Sequence, residues 1–281
     1  MKEVFKMRTA ASISVQYDNP FSPFPASEWR EGFRWAKQGG LDGVELIVSD
    51  PKLADVDAIL AELEADALEV ATISTGQATA LENFSLTSLN EFERAQAVQR
   101  CCDDVDFSAA LGRPNVTIGL IRGRGREGWG GVERELLKRE LYKVADYACK
   151  REVALNLEPI NRYEVRLLNS VADTAAFLDE MGNPVHIGIL YDTFHVNIED
   201  GDQPQTLRRY HTQISHVHFA DSNRRLPGEG HIDYLRVKQA LDDIGYGGWV
   251  SLETLSHPSQ QYVREQMKSR MAAIFGYNKS H

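Results

Sequence analysis

The chain has 281 residues, a formal net charge of -10 and 42% hydrophobic residues. That charge excludes a non-specific electrostatic grip on DNA or RNA, while the length allows one α/β barrel of roughly 250 residues. Cys101, Cys102 and Cys149 show neither disulfide-like nor metal-like spacing, the start MKEVFKMRTAASISV has no apolar signal core, and no run approaches a membrane span, so a cytoplasmic protein in a reducing compartment is expected.

In chain order, short apolar runs alternate with amphipathic ones. A strand over Thr9–Val15 leads to a helix from Ser27, read as its N-cap, to about Gln38, closed by Gly39-Gly40. Strand Asp42–Val48 precedes helix Asp55–Ala65, and strand Leu68–Thr75 precedes helix Asn90–Ala110. Strand Val116–Ile121 runs into a Gly/Arg loop and a helix over Val132–Arg151. Strand Ala154–Leu157 pairs with helix Val171–Glu180, and strand His186–Leu190 with a short helix over Gln205–His211. Strand Ile214–Phe219 pairs with helix Tyr234–Ile244, and strand Trp249–Leu252 with helix Gln260–Phe275. Strict alternation calls for a parallel sheet, and eight repeats call for closure, so the expected fold class is α/β: a single (β/α)8 TIM barrel domain over residues 1–281. An open doubly wound sheet would want a phosphate-gripping glycine loop after the first strand, and QYDNPFSPFP is not one.

In such a barrel the chemistry sits at the C-terminal strand ends. The fifth strand ends in Glu158, and the sixth in Asp192 with His195 one turn on. The seventh carries His216 and His218 on one face and leads to Asp221 and Arg224, and the eighth ends in Glu253. Singly, a carboxylate at a strand end is a solvated stop, and His216 reads as a histidine satisfied within the interior. Together, four consecutive strands ending in Glu, Asp, His and Glu match a divalent-metal site of mostly hard donors, which favours Mn²⁺, Mg²⁺ or Co²⁺ over a thiolate-type zinc site.

These residues also carry a resemblance. LEPINRYE, YDTFHVNIE, HFADSNRRLPGEG and SLET resemble the ketose 3-epimerases of the xylose-isomerase-like TIM-barrel superfamily, whose familiar members are tagatose and psicose 3-epimerases. STGQA, FSLT and IGLIRGR are similar to the keto-acid branch typified by 5-keto-L-gluconate (tagaturonate) epimerase. The resemblance implies a metal-dependent sugar epimerase that inverts the carbon beside the keto group of a ketose or keto-sugar acid through a cis-enediolate, with one divalent ion, Mn²⁺ first and Mg²⁺ or Co²⁺ as alternatives. It implies that Glu158, Asp192, His218 and Glu253 bind the metal and that Glu158 and Glu253 form the acid/base pair. His195 and Arg224 would hold substrate oxygens, and Glu164 would contact the substrate or steady the site. Family members often pair, so a homo-oligomer is compatible with the sequence.

Two loops add candidates. In IRGRGREGWGG, Arg122 or Arg124 would grip a substrate carboxylate bidentately, against the plainer reading of a solvated loop with an arginine paired to Glu127. Gln77 would offer an amide to a sugar hydroxyl, and YDNPFSPFP would shape one side of the pocket. RRLPGEGHID lies where barrels often bind phosphate, which keeps a phosphorylated ketose open, although its glycines also suit a turn into a helix capped by Asp233. An aldose–ketose isomerase and an inosose-type dehydratase remain alternatives on the same barrel. The acidic charge and the position of the first histidine, His186, which leaves the early strands none to supply, argue against a three-metal nuclease.

Overall fold

The structure, a computed structural model, describes residues 6–276; Met1–Phe5, the first part of the start read above, and residues 277–281 lie outside the described residues. Eight parallel strands close a barrel: β1 (Arg8–Ser14), β2 (Gly43–Ile47), β3 (Glu69–Ser74), β4 (Asn115–Ile118), β5 (Leu155–Leu157), β6 (Ile187–Asp192), β7 (Ile214–Phe219) and β8 (Trp249–Leu252). They lie in sequence order, and β1 completes the ring against β8, with Arg8 opposite Trp249 and Ala11 opposite Leu252.

The helices between them are α1 (Trp29–Gln38), α2 (Val56–Asp66), α3 (Gly76–Glu82), α4 (Glu91–Ala110), α5 (Gly130–Cys149), α6 (Val171–Glu180), α7 (Thr193–Glu199), α8 (Gln203–Arg209), α9 (Tyr234–Asp243) and α10 (Gln260–Phe275). Asp55, Asn90 and Asp233 cap α2, α4 and α9 by accepting backbone amides, as their residue types predict. Ser27 does not cap α1: a 3-10 turn over Ala26–Glu28, entered through Pro25, absorbs it, and α1 begins one residue after Glu28. None of the described helices is long and apolar enough to cross a membrane.

Alternation along the strands divides the interior into two chemistries. Val217 and Phe219 on β7, Ile13 on β1, Leu46 on β2 and Ile73 on β3 belong to the apolar layer shared with Phe33, Leu141 and Phe177 of the helices. Burying each aromatic ring there stabilises the fold by about 2–3 kcal/mol. The lumen is polar. Thr72 and Thr117 hydroxyls lie 2.9 Å apart, Asn156 donates to both at 3.3 Å, and Ser215 donates to the Asn156 carbonyl oxygen at 2.7 Å. Barrel interiors are ordinarily filled by branched aliphatic side chains. Here hydrogen-bonded polar groups take their place, and His216 on Ser251 at 2.9 Å is a further such pair.

Candidate functional site

Four strand ends meet at the C-terminal mouth of the barrel. One ligand atom each of Glu158, Asp192, His218 and Glu253 lies within 4.8 Å of the others. Glu158 follows β5 directly, Asp192 ends β6, His218 is the penultimate residue of β7 and Glu253 follows β8, so four rigid staves set the group. His218 Nδ1 stands 3.9 Å from Glu158 Oε1 and 3.8 Å from Glu253 Oε2. Asp192 Oδ1 accepts the Phe194 amide at 2.7 Å and so caps α7, while its Oδ2 has no hydrogen-bond partner.

The electrostatics fit a cation. Burial, then the carboxylate of Glu253, pushes Glu158 up to about 8. Burial likewise raises Asp192 to about 7, against the pull of His218. Burial disfavours charge on His218 too, yet Glu45, and after it Glu253 and Glu158, raise it to about 10. Three buried carboxylates crowded on one point repel each other, and a divalent ion relieves that repulsion. The unpartnered Asp192 Oδ2 and His218 Nδ1 are the acceptor atoms such an ion would take. Gly119 leaves the space for this arrangement, because a Cβ on it would stand 2.6 Å from Glu158 Oε2.

His195, in the first turn of α7, is buried beside the group, with Nε2 3.6 Å from Asp192 Oδ2 and 3.8 Å from Glu158 Oε1. Its Nδ1 accepts from the Asn161 backbone amide at 3.3 Å and faces the Asn161 side-chain nitrogen at 2.8 Å. A backbone N–H can only donate, so Nδ1 is the acceptor and the proton sits on Nε2, pointing into the site. Burial, reinforced by Arg224, holds His195 well below the usual histidine range, so it is a neutral donor.

Asn161 also donates to Glu164 Oε1 at 2.9 Å, and the same oxygen accepts from Arg224 Nη1 at 2.8 Å. Arg224 Nη2 reaches Glu253 Oε2 at 3.3 Å. The guanidinium lies between two rings, 4.4 Å from the centre of Phe21 and 4.9 Å from that of Phe194. Arg224 itself has φ of 60°, the left-handed region, and its carbonyl accepts the Leu255 amide, while the Ser256 amide donates to Pro20. The loops after β1, β7 and β8 are therefore stitched around one arginine.

A cavity of about 200 Å³ is lined by Glu158, Glu253, His195, Arg224, Phe21 and Gln77. Asn19 and Pro20 line it as well, so the first barrel loop does shape the pocket. Gln77 donates to the Tyr17 carbonyl at 3.0 Å and leaves its Oε1 unpartnered.

The loop after β4 departs from the reading of its sequence. Arg122 is 0% exposed, and its guanidinium donates to the main-chain carbonyls of Glu158, Leu167 and Leu168, so it is turned away from any ligand. Arg124 is exposed and outside the cavity lining, with Nη1 3.4 Å from the Glu164 carbonyl oxygen. Glu127 pairs at 3.6 Å with Arg166 rather than with an arginine of its own loop. Sequence reasoning passed over Asn161, although it lies inside LEPINRYE, and Glu45, a charge in the middle of the apolar run DGVELIV. Glu45 Oε2 lies 2.9 Å from His218 Nε2, wholly buried.

Residues 33–273 match the family model described as xylose isomerase-like TIM barrel. An L-ribulose 3-epimerase of Mesorhizobium japonicum is 30% identical over 246 residues, covering 84% of this chain and 77% of that protein. A 3-dehydro-D-guloside 4-epimerase of Escherichia coli is 26% identical over 253 residues, covering 83% and 90%. Among solved structures, an L-ribulose 3-epimerase superposes with a TM-score of 0.77 at 27% identity, over 95% of this chain and 86% of that one.

Proposed function

Because the chain belongs to the xylose isomerase-like TIM-barrel family, and within it to the ketose 3-epimerases, we propose that this carbohydrate epimerase inverts C3 of a free, uncharged ketose with Glu158 and Glu253 as its acid/base pair. The observation that carries the reading is the convergence of Glu158, Asp192, His218 and Glu253 within 4.8 Å beside a cavity of about 200 Å³. These four side chains would hold a divalent cation, Mn²⁺ first among hard-donor ions. When bound, it supplies Lewis-acid polarisation of the substrate's oxygens and so acidifies the neighbouring C–H bond.

Inversion needs a proton removed from one face of a carbon and returned to the other. Glu158 and Glu253 come from β5 and β8, which are not neighbours in the ring, so one carboxylate can serve each face. The neutral Nε2–H of His195 is aimed to donate to an oxygen as charge develops on it, and Arg224 supplies a second donor edge beside Glu253. Glu164 and Asn161 hold those two donors in place.

The lining supports a neutral substrate. Among the described residues that line the cavity, Arg224 is the cation, and it is already paired with Glu164 and Glu253. Phosphate fits poorly as well. In the loop after β7, Asp221 accepts the amides of Ser222 and Gly228 at 2.7 Å and of Ile232 at 3.1 Å, occupying donors that a phosphate would use. A second reading, epimerisation at C4, is favoured by the similarity to the Escherichia coli 4-epimerase.

Incubation of ketoses with the Mn²⁺-loaded protein in D₂O tests both. Deuterium entering at C3 supports the reading, and deuterium at C4 of a keto-glycoside supports the second. Chelation should abolish exchange and Mn²⁺ restore it. Glu158→Gln and Glu253→Gln should each cost at least roughly 100-fold in kcat. Absence of exchange with every ketose and keto-acid tried, metal present, would overturn the reading.

A further inference from the structure

Glu45 is a carboxylate in the wrong place for an ordinary barrel. It sits in mid-β2, is 0% exposed, and faces a lumen otherwise built from neutral hydroxyls, amides and histidines. Its Oε2 lies 2.9 Å from His218 Nε2. The two residues come from strands that do not adjoin: β1 and β8 separate β2 from β7 on one side of the ring. The contact is therefore a bond across the barrel, not a rung of the sheet. His216 stands 3.6 Å from the same oxygen, too far for a hydrogen bond, and is held instead by the Ser251 hydroxyl.

An ionised carboxylate can only accept, so Nε2 of His218 is the nitrogen that carries the proton. That leaves Nδ1, the unpartnered atom that faces Glu158 and Glu253, as the nitrogen able to give up its proton and offer a lone pair to a cation. A histidine that ligates a metal through one nitrogen generally donates the other N–H to a carboxylate or carbonyl, which fixes its tautomer and ring angle.

Resting on the reading that Glu158, Asp192, His218 and Glu253 hold a divalent ion, we propose that Glu45 is the positioning residue of that centre. By accepting the Nε2–H of His218 across the lumen, it fixes the tautomer and the orientation in which Nδ1 meets the three carboxylates. Glu45 meets the group through its hydrogen bond to His218.

Two measurements on the full chain test this, with Mn²⁺ as the probe. The first is Mn²⁺ affinity and stoichiometry, by titration of metal-stripped protein, for the wild type, Glu45→Gln and Glu45→Ala. The second is the ¹⁵N spectrum of the histidine rings with diamagnetic Mg²⁺ in place of paramagnetic Mn²⁺, which reports which nitrogen of His218 keeps its proton once an ion is bound. One Mn²⁺ per chain is expected, weakened roughly 10-fold in Glu45→Gln and roughly 100-fold in Glu45→Ala. His218 is expected as the Nε2–H tautomer in the wild type and as a mixture in Glu45→Ala. If Glu45→Ala does not fold, the near-isosteric Glu45→Gln carries the affinity test.

Mn²⁺ affinities within about twofold of wild type in the folded variants would overturn the proposal, since loss of such a partner costs far more. So would an Nδ1–H tautomer in the wild type. A second Mn²⁺ equivalent that disappears in Glu45→Gln would also overturn it, because Glu45 and His216 would then be ligands themselves. Asp192→Asn separates this from the reading beneath it. If Asp192→Asn binds Mn²⁺ as the wild type does, the four-residue centre fails, and the His218 tautomer alone then decides the role of Glu45.

Discussion

Arg122, wholly buried, donates its guanidinium to the main-chain carbonyl of Glu158, so the loop after β4 fixes the residue that follows β5. The same side chain closes onto the carbonyls of Leu167 and Leu168, and Leu168 has φ of 55°, a left-handed backbone needing outside support. Arg122→Met takes the donor from the carbonyls of Glu158 and Leu167 and leaves that of Leu168 with the Ile160 amide alone. A stability loss of roughly 3 kcal/mol by urea denaturation is expected. kcat should fall, while KM for neutral ketoses and for keto-acids should change alike. A KM effect confined to keto-acids would show instead that Arg122 meets the ligand.

Asn161 sets the proton on His195. Asn161→Asp replaces the side-chain donor beside Nδ1 with an acceptor and so draws the proton onto Nδ1, taking it from the nitrogen that faces the cavity. A kcat loss of roughly 100-fold is expected, together with a lower thermal stability, because the new buried carboxylate also faces Glu164 Oε1 where Asn161 donates at 2.9 Å. An equal loss in Asn161→Ala, with His195 unmoved in a crystal structure, would point to a structural role rather than tautomer control.

Gly119 is tested by the smallest possible addition. In Gly119→Ala the new methyl meets Glu158 Oε2 at 2.6 Å, and that carboxylate is the part able to move. Exchange of the C3 proton should drop at least about tenfold, and Mn²⁺ binding should weaken with it. Full activity in Gly119→Ala would mean that Glu158 works from another position.

Asp104, on α4, is buried with neither carboxylate oxygen hydrogen-bonded. Burial, against the pull of Arg100, holds its carboxyl well above the usual carboxylate range. An acid with a raised folded value binds its proton more tightly in the folded state. Its contribution is therefore complete below the unfolded value of about 3.9 and is lost as pH rises toward the folded one. Asp104→Asn removes that dependence. The variant should match wild type within about 0.5 kcal/mol at pH 4 and exceed it by about 1 kcal/mol or more at pH 8, by chemical denaturation. A gain that is the same at both pH values would assign the effect to something other than ionisation.

The barrel was legible because parallel strands buried on both faces read as compact apolar runs, and the strand ends fell within a few residues of the observed ones. Glu158, Asp192, His218 and Glu253 were legible as a group because a barrel puts every strand's C-terminal end at one mouth, so position along the chain becomes position in space. Helices α3 and α7 were not foreseen. Each spans seven residues and begins where a strand's apolar run has barely ended, too short for a helical period to show. The inward turn of Arg122 could not be read at all, since it answers carbonyls 36 to 46 residues away. Glu45 carried a readable signal: a charge in a strand with no exposed face must point at a partner.

The clamp of Phe21 and Phe194 on Arg224, with the backbone ties of Arg224 to Leu255 and of Pro20 to Ser256, bears on redesign. Transplanting the first barrel segment from a relative to alter sugar preference would strip one ring from the arginine and one tether from the segment after β8. Such chimeras should therefore be assembled as a matched set, exchanging residues 17–25 together with 222–227 and 254–257, and screened as whole mouths rather than as interchangeable pieces.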